Sequence, residues 1–236
     1  MKTETQHESE SVMMARRSFL RYAGASVAAV GVMSVASSCK KNDDYKGGTT
    51  PDTKVDIGAT GDLAILNYAY ALEQLEAAFY INLVANMYTG ATADEIALLT
   101  DIRDHEVVHR ELFKAALGTN AIKALTPDFK AIDFSNKTSV LAAAKAFEDT
   151  GVTAYNGAGY LIKDAAYLTL AGKIVSVEAR HAAYIRNIIS AGSFADTTIL
   201  DAAGMDKQQT IPQVLAIANG FLTTKVSASN YGYTAS

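Results

Sequence analysis

DHEVVH at residues 104–109 and VEARH at residues 177–181 carry the same signature, a glutamate followed three places later by a histidine: Glu106 with His109, and Glu178 with His181. Residues three apart on an α-helix lie about 60° from each other around its axis, so each pair can aim both side chains at one interior point. Apolar residues recur at helical spacing around both pairs, which predicts that each lies on a long helix. A lone glutamate stands upstream of each pair at a similar separation: Glu73 in LEQLEAAFY before Glu106, and Glu148 in FEDTGVTAY before Glu178. Four carboxylates and two imidazoles on four helices form the donor set of a carboxylate-bridged two-metal centre inside a four-helix bundle.

The spacing repeats between the halves of the chain. Glu106 is as far from Glu178 as His109 is from His181, and the separation of Glu73 from Glu148 differs from these by less than one helical turn. Tyr80 and Tyr155 each stand two turns after their glutamate. Helices are expected over about Asp62–Tyr88, from an N-cap at Thr92 to near Gly118, over Ser139–Ile162 and over Asp164–Ser190. Within each half the two glutamates are about equally far from the connecting turn, and at about 1.5 Å rise per residue all four reach a similar height. The stretch from Gly118 to Thr138, which contains Pro127, is long for a link between antiparallel neighbours and reads as a crossover between the second and third helices. The fold class is therefore all-α, a four-helix bundle over residues 61–192, with a C-terminal extension over 193–236. A fifth helix is expected in that extension over Ile211–Lys225, with Pro212 in its first turn.

Residues 1–38 read as an export signal. Arg16-Arg17-Ser18-Phe19-Leu20-Arg21 has a twin-arginine pattern, and the apolar stretch after it, Ala23 to Ser38, is shorter than the roughly 20 residues a permanent membrane helix needs. Ala36-Ser37-Ser38-Cys39 resembles a bacterial lipobox, with alanine in place of the usual leucine, which makes Cys39, the single cysteine, the expected lipidation site. Residues 39–60, with Gly47-Gly48-Thr49-Thr50-Pro51, read as a flexible tether. The expected location is the cell envelope or periplasm, with a lipid anchor as the membrane contact. A net charge of -4 without a basic stripe argues against nucleic acid as a partner. No oligomeric state follows from the sequence, and a homodimer stays open.

Oxygen-rich ligation with one imidazole per ion suits iron or manganese better than structural zinc. Each Glu-x-x-His pair is expected to serve one ion, with Glu73 and Glu148 adding terminal or bridging oxygens. Without metal, four crowded carboxylates should keep some of their protons and weaken the fold. Tyr80 and Tyr155 are expected to hydrogen-bond ligands on a neighbouring helix. Glu76 rivals Glu73, but the matching tyrosine spacing favours Glu73 and leaves Glu76 as an exposed or edge residue. His105 reads as an ordinary polar helix residue, with support of a ligand as the alternative, and Arg180 as a bundle-edge ion pair. Gly151, Gly157 and Gly159 are expected to permit close helix contact near the layer of the glutamates, with a local bulge as the alternative.

LNYAYALEQLEAAFY, DHEVVHRELF, FEDTGVTAYNGA and IVSVEARHAAYIRN resemble the ferritin-like superfamily, and within it the exported ferritin-like, desiccation-related proteins of bacteria. The resemblance implies metal ligation by Glu73, Glu106, His109, Glu148, Glu178 and His181. It also implies two iron ions, or alternatively manganese, reacting with dioxygen or hydrogen peroxide, with ferrous iron as a further substrate. A dimanganese centre would disproportionate peroxide. A non-catalytic, stress-protective envelope protein is the reading from a different class. The N-terminal signal and the C-terminal extension set the chain apart from cage-forming ferritins.

Overall fold

Side chains at the helix starts set where each helix begins. Thr92 and Glu95 form a reciprocal capping box, Asn136 accepts from the Ser139 backbone, and Asp164 accepts from the backbones of Ala166 and Tyr167, each satisfying amides that the first turn leaves unpaired. The computed structural model describes residues 53–236, so the signal, Cys39 and most of the expected tether lie outside the described residues. The order is β1 (Lys54–Asp56), α1 (Asp62–Ala85), α2 (Ala93–Leu117), α3 (Lys137–Ala158), α4 (Ala165–Ile189), α5 (Ile211–Ala218) and β2 (Lys225–Ser227). The first four helices are a four-helix bundle built as two hairpins, α1 with α2 and α3 with α4. Among the described residues, no helix is long and apolar enough to cross a membrane.

α1 is the central element. It buries 17 of its 24 residues against only seven of 25 in α2, so α1 is apolar around most of its circumference whereas α2 carries a single stripe. The crossover after α2 covers part of the face of α1 turned away from the bundle. Its backbone meets the two buried amides there: Asn67 bonds Asn120 O and Ile122 N, and Gln74 Oε1 accepts from Leu125 N. The far end of the chain adds a second cover. β2 pairs in parallel with β1, Val55 opposite Val226, so the last part of the expected tether is held as a strand. The expected fifth helix stops at Ala218, because Asn219 turns back to hold the backbone of Val226 and residues 225–227 join the sheet instead.

Two contacts tie the extension to the bundle. Arg186 of α4 is 1 % exposed and makes a two-pronged bond to Asp149 on α3, at 2.8 and 2.7 Å, while also reaching Asp196 and Thr198 of the segment after α4. The second contact is backbone to backbone: Gln209 N donates to Thr153 O at 3.0 Å, directly over Gly157. A Cβ at Gly157 would lie 1.8 Å from Gln209 O, and the clash is with main chain that has no rotamer to yield. Gly157 therefore serves the extension and not a helix contact, and Gly159 faces open space. Gly157→Ala is expected to destabilise the chain by about 1–3 kcal/mol. Gly172→Ala, on the exposed side of α4 with nothing within 4 Å, should stabilise it by about 0.5–1 kcal/mol. Thermal melts followed by circular dichroism, both variants beside the parent, test this pair of opposite signs.

Candidate metal centre

All six residues singled out by the repeated pattern come together at mid-height of the bundle. Glu73, Glu106, Glu148 and Glu178 are fully buried at 0 % exposure, and His109 and His181 are buried beside them. They form two groups, Glu73, Glu106, His109 and Glu178 in one, and Glu106, Glu148, Glu178 and His181 in the other, each able to hold an ion. Glu106 and Glu178 belong to both groups. The histidine pairs thus do not divide cleanly between two positions: their glutamates lie between the positions, and the lone glutamates of α1 and α3 sit at the outer ends.

The oxygen inventory is equally ordered. Tyr80 on α1 donates to Glu148 Oε1 on α3, and Tyr155 on α3 donates to Glu73 Oε1 on α1, both at 2.5 Å. Each terminal carboxylate is left with one free oxygen, whereas Glu106 and Glu178 keep both free. Glu73 Oε2, Glu148 Oε2, both oxygens of Glu106 and of Glu178, and Nδ1 of His109 and of His181 are buried without a hydrogen-bond partner. They do approach one another, with His109 Nδ1 2.8 Å from Glu178 Oε1 and His181 Nδ1 2.8 Å from Glu106 Oε1, but not along hydrogen-bonding directions. Unpaired buried polar atoms are rare and costly. Eight of them converging on one region fit a bound cation, and the oxygen-rich set with two imidazoles fits a hard or borderline divalent metal.

Burial and crowding govern the charges. Burial pushes the Glu106 carboxyl well above the usual carboxylate range, and the Glu178 charge pushes it further; Glu148 is raised mainly by burial. Burial alone would lower His109, but its contacts with Glu178 and Glu73 raise it to about 11. His181 is raised likewise, against burial, by Glu148 and Glu106. Glu178 moves the other way: burial would raise it, yet contact with both imidazoles brings it to about 2.

Three features escape the sequence pattern. Glu76 is buried, at 4 % exposure, and is not the exposed or edge residue expected. Its carboxyl is raised well above normal by burial and then by the charges of Glu106, Glu178, Glu73 and Glu148. Space for it exists because Gly151, three places after Glu148, has no side chain: a Cβ there would lie 3.0 Å from Glu76 Oε1. The three-place spacing from Glu73, which puts both on one face, was the available signal. His105 reaches across to His181, Nδ1 to Nε2 at 2.9 Å, a contact with a candidate ligand on another helix that the reading as an ordinary polar helix residue does not include. Arg180 bonds the Ser176 carbonyl one turn back, and the arginine that makes the buried ion pair is Arg186. Beside the site, Tyr155 also lines an apolar pocket with Leu66, Ala69, Phe113 and Ala154, a cavity of about 20 Å³, room for one water-sized body and no organic substrate.

The chain matches the ferritin-like domain family over residues 61–191, more than half its length, and belongs to that family. No curated protein matches it. A divalent metal that occupies the converging donors should raise the melting temperature in a concentration-dependent way, by the equivalent of about 2.7 kcal/mol at a hundredfold excess over the dissociation constant. Glu106→Gln, which keeps the shape but removes a carboxylate common to both groups, should abolish that increment while the metal-stripped variant melts close to the stripped parent. Scanning calorimetry with and without metal checks both.

Proposed function

We propose that the chain holds two redox-active divalent ions, iron in the first place, between Glu73, Glu106, His109, Glu148, Glu178 and His181, and uses them to reduce dioxygen or hydrogen peroxide. The observation that supports this reading is the sharing of eight unpartnered donor atoms between two overlapping groups, with both oxygens of Glu106 and of Glu178 free for both. When bound, such a pair of ions supplies electrons to an oxygen–oxygen bond and is itself oxidised. Tyr80 and Tyr155 hold the two outer carboxylates in place, each from the opposite hairpin, and so preset their orientation. The aliphatic and aromatic shell of α1 and α3 keeps bulk water away, and the small apolar pocket against Tyr155 suits a diatomic molecule over an organic one. Ferrous iron in excess would be the substrate oxidised.

The setting proposed is the cell envelope, by export through the twin-arginine pattern at residues 16–21 and lipidation at Cys39. The full chain, purified without chelator or added metal, should carry about two iron ions by elemental mass spectrometry. Anaerobic ferrous loading followed by air should give oxygen uptake and an oxidised-iron absorption band, both absent in Glu178→Gln. Two manganese ions with rapid peroxide disproportionation would move the assignment to the dimanganese reaction. A chain that takes up no metal under any loading condition would refute the metal-centre reading and leave the structural, stress-protective role.

A further inference from the structure

The two candidate metal positions have equivalent ligands but different surroundings, and the difference lies behind the histidines. Both imidazoles turn Nδ1 toward the carboxylates. Behind His181, Nε2 meets Nδ1 of His105 at 2.9 Å, and the two rings lie nearly parallel, 9° apart in plane with centroids at 5.2 Å. His105 comes from α2 and His181 from α4, so the contact links the two hairpins. Among the described residues no hydrogen bond supports Nε2 of His109. The repeat explains why: His105 immediately precedes Glu106, and the residue immediately preceding Glu178 is Val177, which has no acceptor to offer.

We propose that His105 is a positioning residue that fixes the ring orientation and tautomer of His181, and thereby makes the position formed by Glu106, Glu148, Glu178 and His181 the tighter of the two. The inference rests on the metal-centre reading above. A neutral imidazole that offers Nδ1 to a cation carries its proton on Nε2, and that N–H requires an acceptor in a fixed place. His105 Nδ1 is that acceptor, with its own proton on the solvent side. Among the described residues His109 has no such acceptor behind it, so its tautomer and ring orientation are set from the carboxylate side alone and its position binds more weakly.

His105 is exposed, so it can be replaced without opening the core. His105→Phe keeps a flat ring against His181 and removes the acceptor, whereas His105→Asn retains an acceptor at about the place of Nδ1. Anaerobic titration of the full chain with cobalt(II) should show two binding steps, the tighter of which His181→Ala abolishes. His105→Phe should weaken that step about 10–100-fold and leave the other unchanged, and His105→Asn should restore it to within about threefold. Proton NMR of the cobalt-loaded chain gives a second readout: one slowly exchanging, hyperfine-shifted imidazole N–H, lost in His105→Phe. If His105→Phe leaves both steps unchanged, or weakens both equally, the inference is overturned while the metal centre stands. If the parent chain binds no cobalt, the metal-centre reading falls and takes this inference with it.

Discussion

Four carboxylates must meet at one level in the middle of an apolar bundle, and most of the structure answers to that constraint. Like charges brought together away from water repel and lose solvation at once. The chain offsets this in three ways: two imidazoles placed inside the cluster, two tyrosine hydroxyls crossing between hairpins to hold the outer carboxylates, and a hold on protons strengthened by burial, which raises the Glu106 and Glu148 carboxyls above their ordinary range. Equal arm lengths on either side of each hairpin turn follow from the same need, since an offset of one helical turn would move a glutamate out of the layer.

A centre of this kind also needs a dry and rigid enclosure, which the elements outside the four-helix bundle help to supply. α1 carries both Glu73 and Glu76 and buries most of its residues, because the crossover lies over surface that the bundle alone would leave to water. The crossover is fastened through Asn67 and Gln74, and the extension through Arg186 and the Gly157–Gln209 contact. The Arg186 fork starts from Asp149, the neighbour of Glu148 in sequence. The helix that presents one outer carboxylate is thus braced by the same residue that anchors the extension.

The bundle and the six converging side chains were legible because each signal is local or periodic. A helical stripe, an N-cap at Thr92 and a Glu-x-x-His spacing all lie within one or two turns, and the repeat between halves then aligns the four helices without knowledge of tertiary contacts. What stayed hidden depends on pairs far apart in sequence. Whether Glu76 is inside or outside turns on a missing side chain at Gly151, on another helix, and the support given to His181 turns on His105, in the other hairpin. The β1–β2 pairing joins Val55 to Val226, and strands this short give alternation no room to show. The sharing of Glu106 and Glu178 between both groups was likewise a matter of side-chain depth, which spacing leaves open.

The departures from the internal repeat are informative in themselves. Duplicated halves would by default give two equal positions, with the same residue before each Glu-x-x-His pair and the same residue three places after each lone glutamate. The chain keeps equality at the six donors and at the tyrosines that brace them, and breaks it at both of those flanking places: His105 against Val177, and Glu76 against Gly151. The second break is sterically complementary, since the side chain gained on α1 occupies the volume that Gly151 leaves free on α3. Under the proposed two-metal reading, equal donors would preserve the capacity for two like ions, while unequal flanks would let those ions differ in affinity and in the charge each one meets.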